Sequence, residues 1–463
     1  MTTVALLTDF SDKYSPMVVK ELRQGLRTKM FGGMMLGVHA ILLLITLAGI
    51  SSTRGQEKEI VNGIIGFVLY VIFPLSGFSA LAGEIKANTM DMLVLSRLSA
   101  GRIVFGKWAA VVLQSLLLTV SILPYMVARY FFGGADLMTD ILFLFQSWLV
   151  SAVLTAAVVA LSTQKQFWLR ALIVAMPLFF SFITPMFLFM FGGSRLRSVS
   201  QGESLSALIY ILPSCAWLIF ALLSIAATRI APASSLLSIP KRLVNLAALI
   251  LLPLLQWLVT SDVDQMLLYM ILILSSVDAL TEQVRPISSI YIPFYRRSIW
   301  GRIGRFFLAP GWMHGFLFSL VLVAVSAGIA GYFTNPDAAI QIFFVGCTLW
   351  FAALMSQIIC FWREEGDYLA GFIGGILIMA LSTLMVTLLI DSVRLSENFR
   401  WVLCVLPTTA FRLVDLTLSY RDLLPTAFIC NAAWPLLLSL FAFRAFRKTR
   451  AVRQEAKSLV SIS

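Results

Sequence analysis

Residues Gly101 to Trp108 read GRIVFGKW, one letter short of the phosphate-binding loop G-x-x-x-x-G-K-[ST]. Gly101, Gly106 and Lys107 fit, but Trp108 stands where a hydroxyl should hold magnesium. Such a loop also needs a buried strand before it and a soluble helix after it. Here the following stretch, WAAVVLQSLLLTVSILPYMVARYFF, is apolar nearly throughout. No second copy of the loop occurs, nor any Leu-Ser-Gly-Gly stretch that an ATPase of the ABC type would carry. The chain is therefore not expected to be an enzyme, and no cofactor or metal is expected in it.

Other residues with chemical potential are few. His39 and His314 are far apart in sequence and lack metalloprotease spacing, so each reads as a hydrogen-bonded packing residue. Asp278 and Glu282 sit one helical turn apart, a spacing that suits an ion site, but capping and pairing with Arg285 explain them more simply. The REEGD stretch, Arg363 to Asp367, reads as a tight turn, with a second partner contact as its functional alternative. Cys215, Cys347, Cys360, Cys404 and Cys430 are odd in number and lack metal-ligand spacing, so they read as small apolar packing residues.

The elements that hold these residues belong in a bilayer. Of the 463 residues, 59% are hydrophobic and 13% charged, and the mean hydropathy is +0.91. An ordinary soluble domain carries about 25% charged residues. Runs long enough to cross ~30 Å of hydrocarbon recur along the chain. Six precede residue 231: Gly32–Ile50, Ile60–Ala82, Trp108–Phe131, Met138–Leu161, Trp168–Gly192 and Ala207–Ile230. Six follow: Leu243–Thr260, Gln265–Leu280, Trp312–Phe333, Ala338–Trp362, Tyr368–Ile390 and Leu423–Phe443. Backbone in lipid has no water to bond, so each must be a helix, and the fold class is an all-α polytopic membrane protein.

With both termini cytoplasmic, 26 of the 35 Lys and Arg fall on the inner side, as the positive-inside rule requires. The net charge of +12 then lies beside anionic headgroups, and with no soluble basic domain nucleic-acid binding is not expected. The stretch WVLCVLPTTAF, Trp401 to Phe411, is too short to span and reads as an interfacial or re-entrant element on the outer face. No cleavable signal peptide is read before the first span.

Residues 1–30 contain a basic amphipathic helix: Ser15 as cap, Pro16 in the first turn, then Val18, Leu22, Leu26 and Met30 on one face. That pattern suits a helix lying along the inner membrane surface, and Gly25 weakens it slightly. Residues 31–230 form a first six-span unit with a long inner loop, 83–107. A short link, 231–242, leads to a second unit, 243–446, with an inner loop at 281–311 and an outer one at 391–422. The basic tail, 447–463, lacks apolar periodicity and reads as a frayed surface anchor. The matching placement of long loops suggests two related halves, as in transporters built from repeats.

The 83–107 loop reads GEIKANTMDMLVLSRLSAGRIVFGK. Asn88 can cap a short helix with Asp91 three residues on, Met90, Leu93 and Val94 share a face, and Ser99 can cap the helix that becomes the third span. Lys107 would mark the inner membrane boundary, with its ammonium snorkelling to headgroups, and Trp108 would be an ordinary interfacial residue. Glu84, Thr89, Asp91, Leu93, Ser96, Ser99, Gly106 and Lys107, in this order and spacing, resemble the segment after the second span of type-2 ABC exporter permeases. The chain departs from that pattern at Asn88, where Gly is usual, and at Arg97, where Pro is usual.

The resemblance implies a coupling helix that docks into a separate cytoplasmic ABC ATPase, which would bind ATP and magnesium. Glu84, Asn88, Thr89, Asp91 and Ser96 would offer it polar groups, Leu93 and Val94 would enter its groove, and Gly106 with Lys107 would close the loop. It also implies a permease of the plasma (bacterial inner) membrane, working as one chain or beside a second permease chain. A solvated loop whose caps merely end helices has the same polarity. The rival class is an ion-coupled or facilitative carrier with twelve spans. Carriers of that kind place charges at mid-membrane, where this chain has almost none, and the major-facilitator loop motif is missing.

Overall fold

The computed structural model describes residues 16–49, 56–78, 99–131, 136–163, 201–232, 235–284, 286–296, 299–362, 367–393, 402–415 and 422–462. Every regular element among them is helical. Nine of these helices are long and apolar enough to cross a membrane, and two shorter apolar ones, Ile60–Ser76 and Gln265–Leu280, coincide with expected spans. The expected span Trp168–Gly192 lies outside the described residues. The chain is an all-α polytopic membrane protein. Its outer faces bear this out: Leu36, Leu44, Leu258, Leu381, Leu440 and Ile429 are more than half exposed, as side chains in lipid must be.

The chain divides into two compact units, Met1–Ser204 with Leu218–Ala231, and Leu205–Trp217 with Pro232–Ser463. In the first, α1 (Pro16–Leu26) and α2 (Lys29–Gly49) lead to α3 (Gln56–Phe67), which widens into a π turn at Val68–Ile72 and resumes as α4 (Phe73–Ser76). Next come α5 (Ala100–Phe131) and α6 (Leu137–Ser162). Val111, Leu118, Ile122 and Met126 recur on one face of α5 and pack with Val38, Leu42, Ile65 and Leu69. His39 joins α2 to α5 through Tyr125 Oη, 3.2 Å from Nδ1, and Ser121 Oγ, 3.0 Å from Nε2. It is the packing residue expected.

Helix α5 has 32 residues, about 48 Å at 1.5 Å per residue, and so outreaches the bilayer core. It starts at Ala100 rather than Trp108, with the Arg102 amide directed to Ser99 Oγ at 3.4 Å, the cap position expected. Trp108 therefore does not begin the helix. It lies two turns inside α5, and its indole donates to the Ala152 carbonyl of α6 at 2.9 Å.

Helix α7 (Gln201–Ile230) contributes to both units. The second continues with α8 (Ser238–Thr260), α9 (Gln265–Leu280), α10 (Ser288–Arg296), α11 (Ile299–Leu308), α12 (Trp312–Phe333), α13 (Pro336–Trp362) and α14 (Tyr368–Val393). Two short helices, α15 (Val402–Val405) and α16 (Pro407–Asp415), precede α17 (Leu424–Lys448) and α18 (Arg450–Ile462). Neither α15 nor α16 is long enough to span. The break at Leu406 frees carbonyls that buried side chains recover: Thr409 Oγ1 donates to Leu403 O, and Asn431 Nδ2 to Cys404 O, each at 2.9 Å.

The tail is not frayed. Helix α18 lays Val452 and the fully buried Ala456 against Tyr291 and Phe294 of α10. Its apolar face is narrow because small residues do the packing, which hides it from a search for large side chains. All five cysteines are free thiols, none fully exposed, in keeping with packing roles.

Helices α9 and α12 approach through Gly315, where an added Cβ would lie 1.8 Å from the Ala279 carbonyl oxygen. The obstacle is backbone, which has little freedom to yield. Gly315→Ala should cost about 1–3 kcal/mol and lower the melting temperature in detergent. Gly328→Ala, in open space on the same helix, should leave it unchanged.

Candidate functional site

Of the residues assigned to partner coupling, Glu84, Asn88, Thr89, Asp91, Leu93, Val94 and Ser96 lie outside the described residues. Gly106 and Lys107 are described, and both face α1. An added Cβ on Gly106 would stand 2.9 Å from Met17 Cγ, and one on Gly25 would stand 2.0 Å from Gln114 Nε2. Between those contacts Lys107 Nζ meets Glu21 Oε1 at 3.2 Å. Met17, Glu21 and Gly25 occur every four residues, so they form one face of α1.

Contacts climb both helices in the same direction, so α1 runs alongside the first turns of α5 rather than across them. This changes two expectations. Lys107 does not snorkel: only 3% of its side chain is exposed, and its charge is used on Glu21. Gly25 is not a flaw in α1 but the place where Gln114 fits. Of the apolar face read from the sequence, Val18 and Leu22 are half-buried and Leu26 is exposed, while Met30 belongs to α2, because the helix breaks between Leu26 and Lys29.

A second constellation lies in the second unit, where sequence reasoning found only half of it. Lys241 and Arg242, assigned to the link 231–242, belong to the second turn of α8. Asp278 ends α9 and Glu282 follows it. Lys241 Nζ lies 3.0 Å from Asp278 Oδ1 and 3.2 Å from Glu282 Oε1. Arg242 Nη2 donates to Glu282 Oε2 at 2.6 Å. Its Nη1 donates to the carbonyls of Phe307 and Ala309, each at 2.7 Å. Ser238 Oγ donates to Glu282 Oε1, and the Gly311 amide donates to Glu282 Oε2 at 3.2 Å. Gly311 has φ +110°, open to glycine and strained for other residues.

All four charged side chains are at most 7% exposed. The two acids are thus more than simple caps, since Lys241 and Arg242 pair with both; Arg285, the partner expected from the sequence, lies outside the described residues. A signal for the arrangement was present in the sequence. Cations near a helix N-terminus and anions at a helix C-terminus both oppose the macrodipole. Charges at the wrong helix ends need partners, and here they are one another's. His314, in the first turn of α12, is fully buried with Nδ1 3.2 Å from the Phe306 carbonyl.

Burial alone would push the Glu282 carboxyl upward. Lys241 and Arg242, then Ser238 and the Gly311 amide, outweigh it and hold it at about 2. Tyr291 beneath α18 goes the other way, raised by burial against the opposing effect of Arg453 and Arg305. Of REEGD, Asp367 alone is described, and its Oδ1 accepts from the Leu369 amide at 3.1 Å as the cap of α14. Among the described residues, no group of three or more His, Cys, Asp or Glu is placed to hold a metal ion. Compared with protein-family models, with curated proteins and with solved structures, the chain matches none.

A carboxyl lowered from 4.5 to about 2 contributes in full above pH 4.5 and loses its contribution as pH falls toward 2. The difference is on the order of 3 kcal/mol. Wild type should exceed Glu282→Gln in detergent melting temperature at pH 7 and converge with it by pH 2. A constant gap across that range contradicts the assignment. In the first unit, Lys107→Glu should destabilise the chain by about 3–5 kcal/mol and hasten proteolytic cleavage between α1 and α2. Adding Glu21→Lys should restore most of the loss.

Proposed function

We propose that this chain is the membrane-spanning permease subunit of an ABC exporter of the bacterial plasma membrane. In this reading it has twelve spans, in two halves of six, with both termini cytoplasmic. A separate ATPase docks on the 83–107 loop and hydrolyses ATP there, while this chain holds neither nucleotide nor magnesium. One observation carries the reading: the loop that resembles a coupling segment ends in Gly106 and Lys107, and these two residues grip α1. A push on the loop would therefore move α1 and α5 as one body, through a glycine contact and a buried ion pair that resist independent sliding. The cargo is hydrophobic or amphipathic, in keeping with the apolar spans.

The buried cluster Lys241, Arg242, Asp278 and Glu282 favours a second reading, an ion-coupled carrier, because buried charges in membrane proteins mark ion and proton paths. Its place at the ends of α8 and α9, rather than at their centres, makes this the weaker of the two.

Chain purified from its native membranes in mild detergent should retain a magnesium-dependent ATPase activity. Combined Glu84→Ala and Thr89→Ala should lower that retained activity at least tenfold without altering yield of the permease. Retained ATPase that ignores these substitutions, or none at all, overturns the proposal. Proton or sodium flux through proteoliposomes under an imposed gradient, with no ATP, would select the carrier.

A further inference from the structure

We infer that the Lys241–Asp278–Glu282–Arg242 cluster is a gate that closes one end of the second unit and opens to water during transport. The inference rests on the transport reading in either form, and it does not depend on which energy source drives the cycle.

The cluster joins elements that sequence separates widely. Arg242 of α8 holds the Phe307, Ala309 and Gly311 carbonyls, at 2.7, 2.7 and 3.3 Å, between α11 and α12. Glu282 reaches the same junction through the Gly311 amide, and Lys241 draws in Asp278 of α9. Three membrane helices are thus tied at one end by two cations and two anions of zero net charge. Every charge is used on another, so the cluster has little left to offer a ligand. What it does is join α8, α9 and the start of α12.

Charge is a poor choice for a permanent tie. A buried ion pair adds little over apolar side chains of the same size, and often less, because both partners must leave water. For a junction that parts repeatedly the comparison reverses. Opened, apolar side chains would meet water at a cost, whereas lysine, arginine and carboxylates are hydrated at once. A charged junction therefore brings its closed and open states close in free energy.

Deeper in the unit, buried polar groups are arranged as though water reaches them at some stage. Ser275 lies on the same face of α9 as Asp278, one turn further from the helix end that Glu282 follows. Its hydroxyl is buried without a hydrogen-bond partner, as are those of Ser276 and Ser326. Arg242 Nε and His314 Nε2 share that condition beside the cluster. Buried polar groups without partners are costly in a closed protein, and a wetted state would satisfy them.

The test places a cysteine at Ser275 in a full-length chain whose five native cysteines are alanine. Labelling by a membrane-impermeant maleimide is then followed in inside-out vesicles. Glu282→Gln weakens the junction and should speed labelling about tenfold. Lys241→Met combined with Asp278→Leu replaces one ion pair by apolar bulk, which resists wetting, and should slow labelling about tenfold below the parent. Size-exclusion elution confirms that each variant folds. Equal labelling of the parent and the paired variant overturns the gate, whether or not Glu282→Gln folds. Loss of ATPase retention with the labelling pattern intact would count against the exporter reading alone.

Discussion

A polar group taken out of water must find its partner inside the chain, and most of this molecule follows from that one constraint. It makes every long apolar segment helical, since a helix satisfies its own backbone in lipid. It also explains the side chains that seem misplaced in an apolar sequence. His39 finds Tyr125 and Ser121, Lys107 finds Glu21, and the broken helix at Leu406 recovers its carbonyls through Thr409 and Asn431. Arg242 is the extreme case. It is fully buried, and although its Nε is left without a partner, four hydrogen bonds from its two terminal nitrogens fix the ends of α8, α9, α11 and α12 around it.

The spans were legible because twenty apolar residues in a row have few other uses, and Ser99 was legible as a cap for a local reason. Helix ends were much less so. A helix has no need to stop where the bilayer stops, so α5 begins at Ala100 and α8 at Ser238, each before the apolar run that gave the span away. That difference moved Lys107 from loop to helix and Trp108 from helix start to helix interior, and Lys241 with Arg242 from link to helix. Partners distant in sequence were harder still. Asp278 and Glu282 stand out in the sequence, yet their cations lie some forty residues earlier, in the segment 231–242 that reads as a link. Helix α18 was missed because Ala456 carries the contact, and alanine barely registers in an apolar pattern.

Small residues and buried charges divide the work of packing here. Gly315 brings two helices to backbone distance, and Gly25 and Gly106 make room for the Gln114 and Met17 side chains of the facing helix, so that dispersion does the holding and lipid competes poorly. Such contacts are shape-bound. They hold in one register and give way if a helix shifts by a turn, so they suit parts that move as a body. The contact of α1 with α5 is of this kind, with a single ion pair to fix its register.

The cluster in the second unit works on a different principle. At the base of α5 one ion pair has an acid that is 19% exposed, so solvent already screens part of it and parting it gains little. At the base of α8, four charges share a dry site, where attraction is strong and hydration on release is equally strong. Two large opposing terms of that kind leave a small difference, and a small difference is what a modest outside force can reverse.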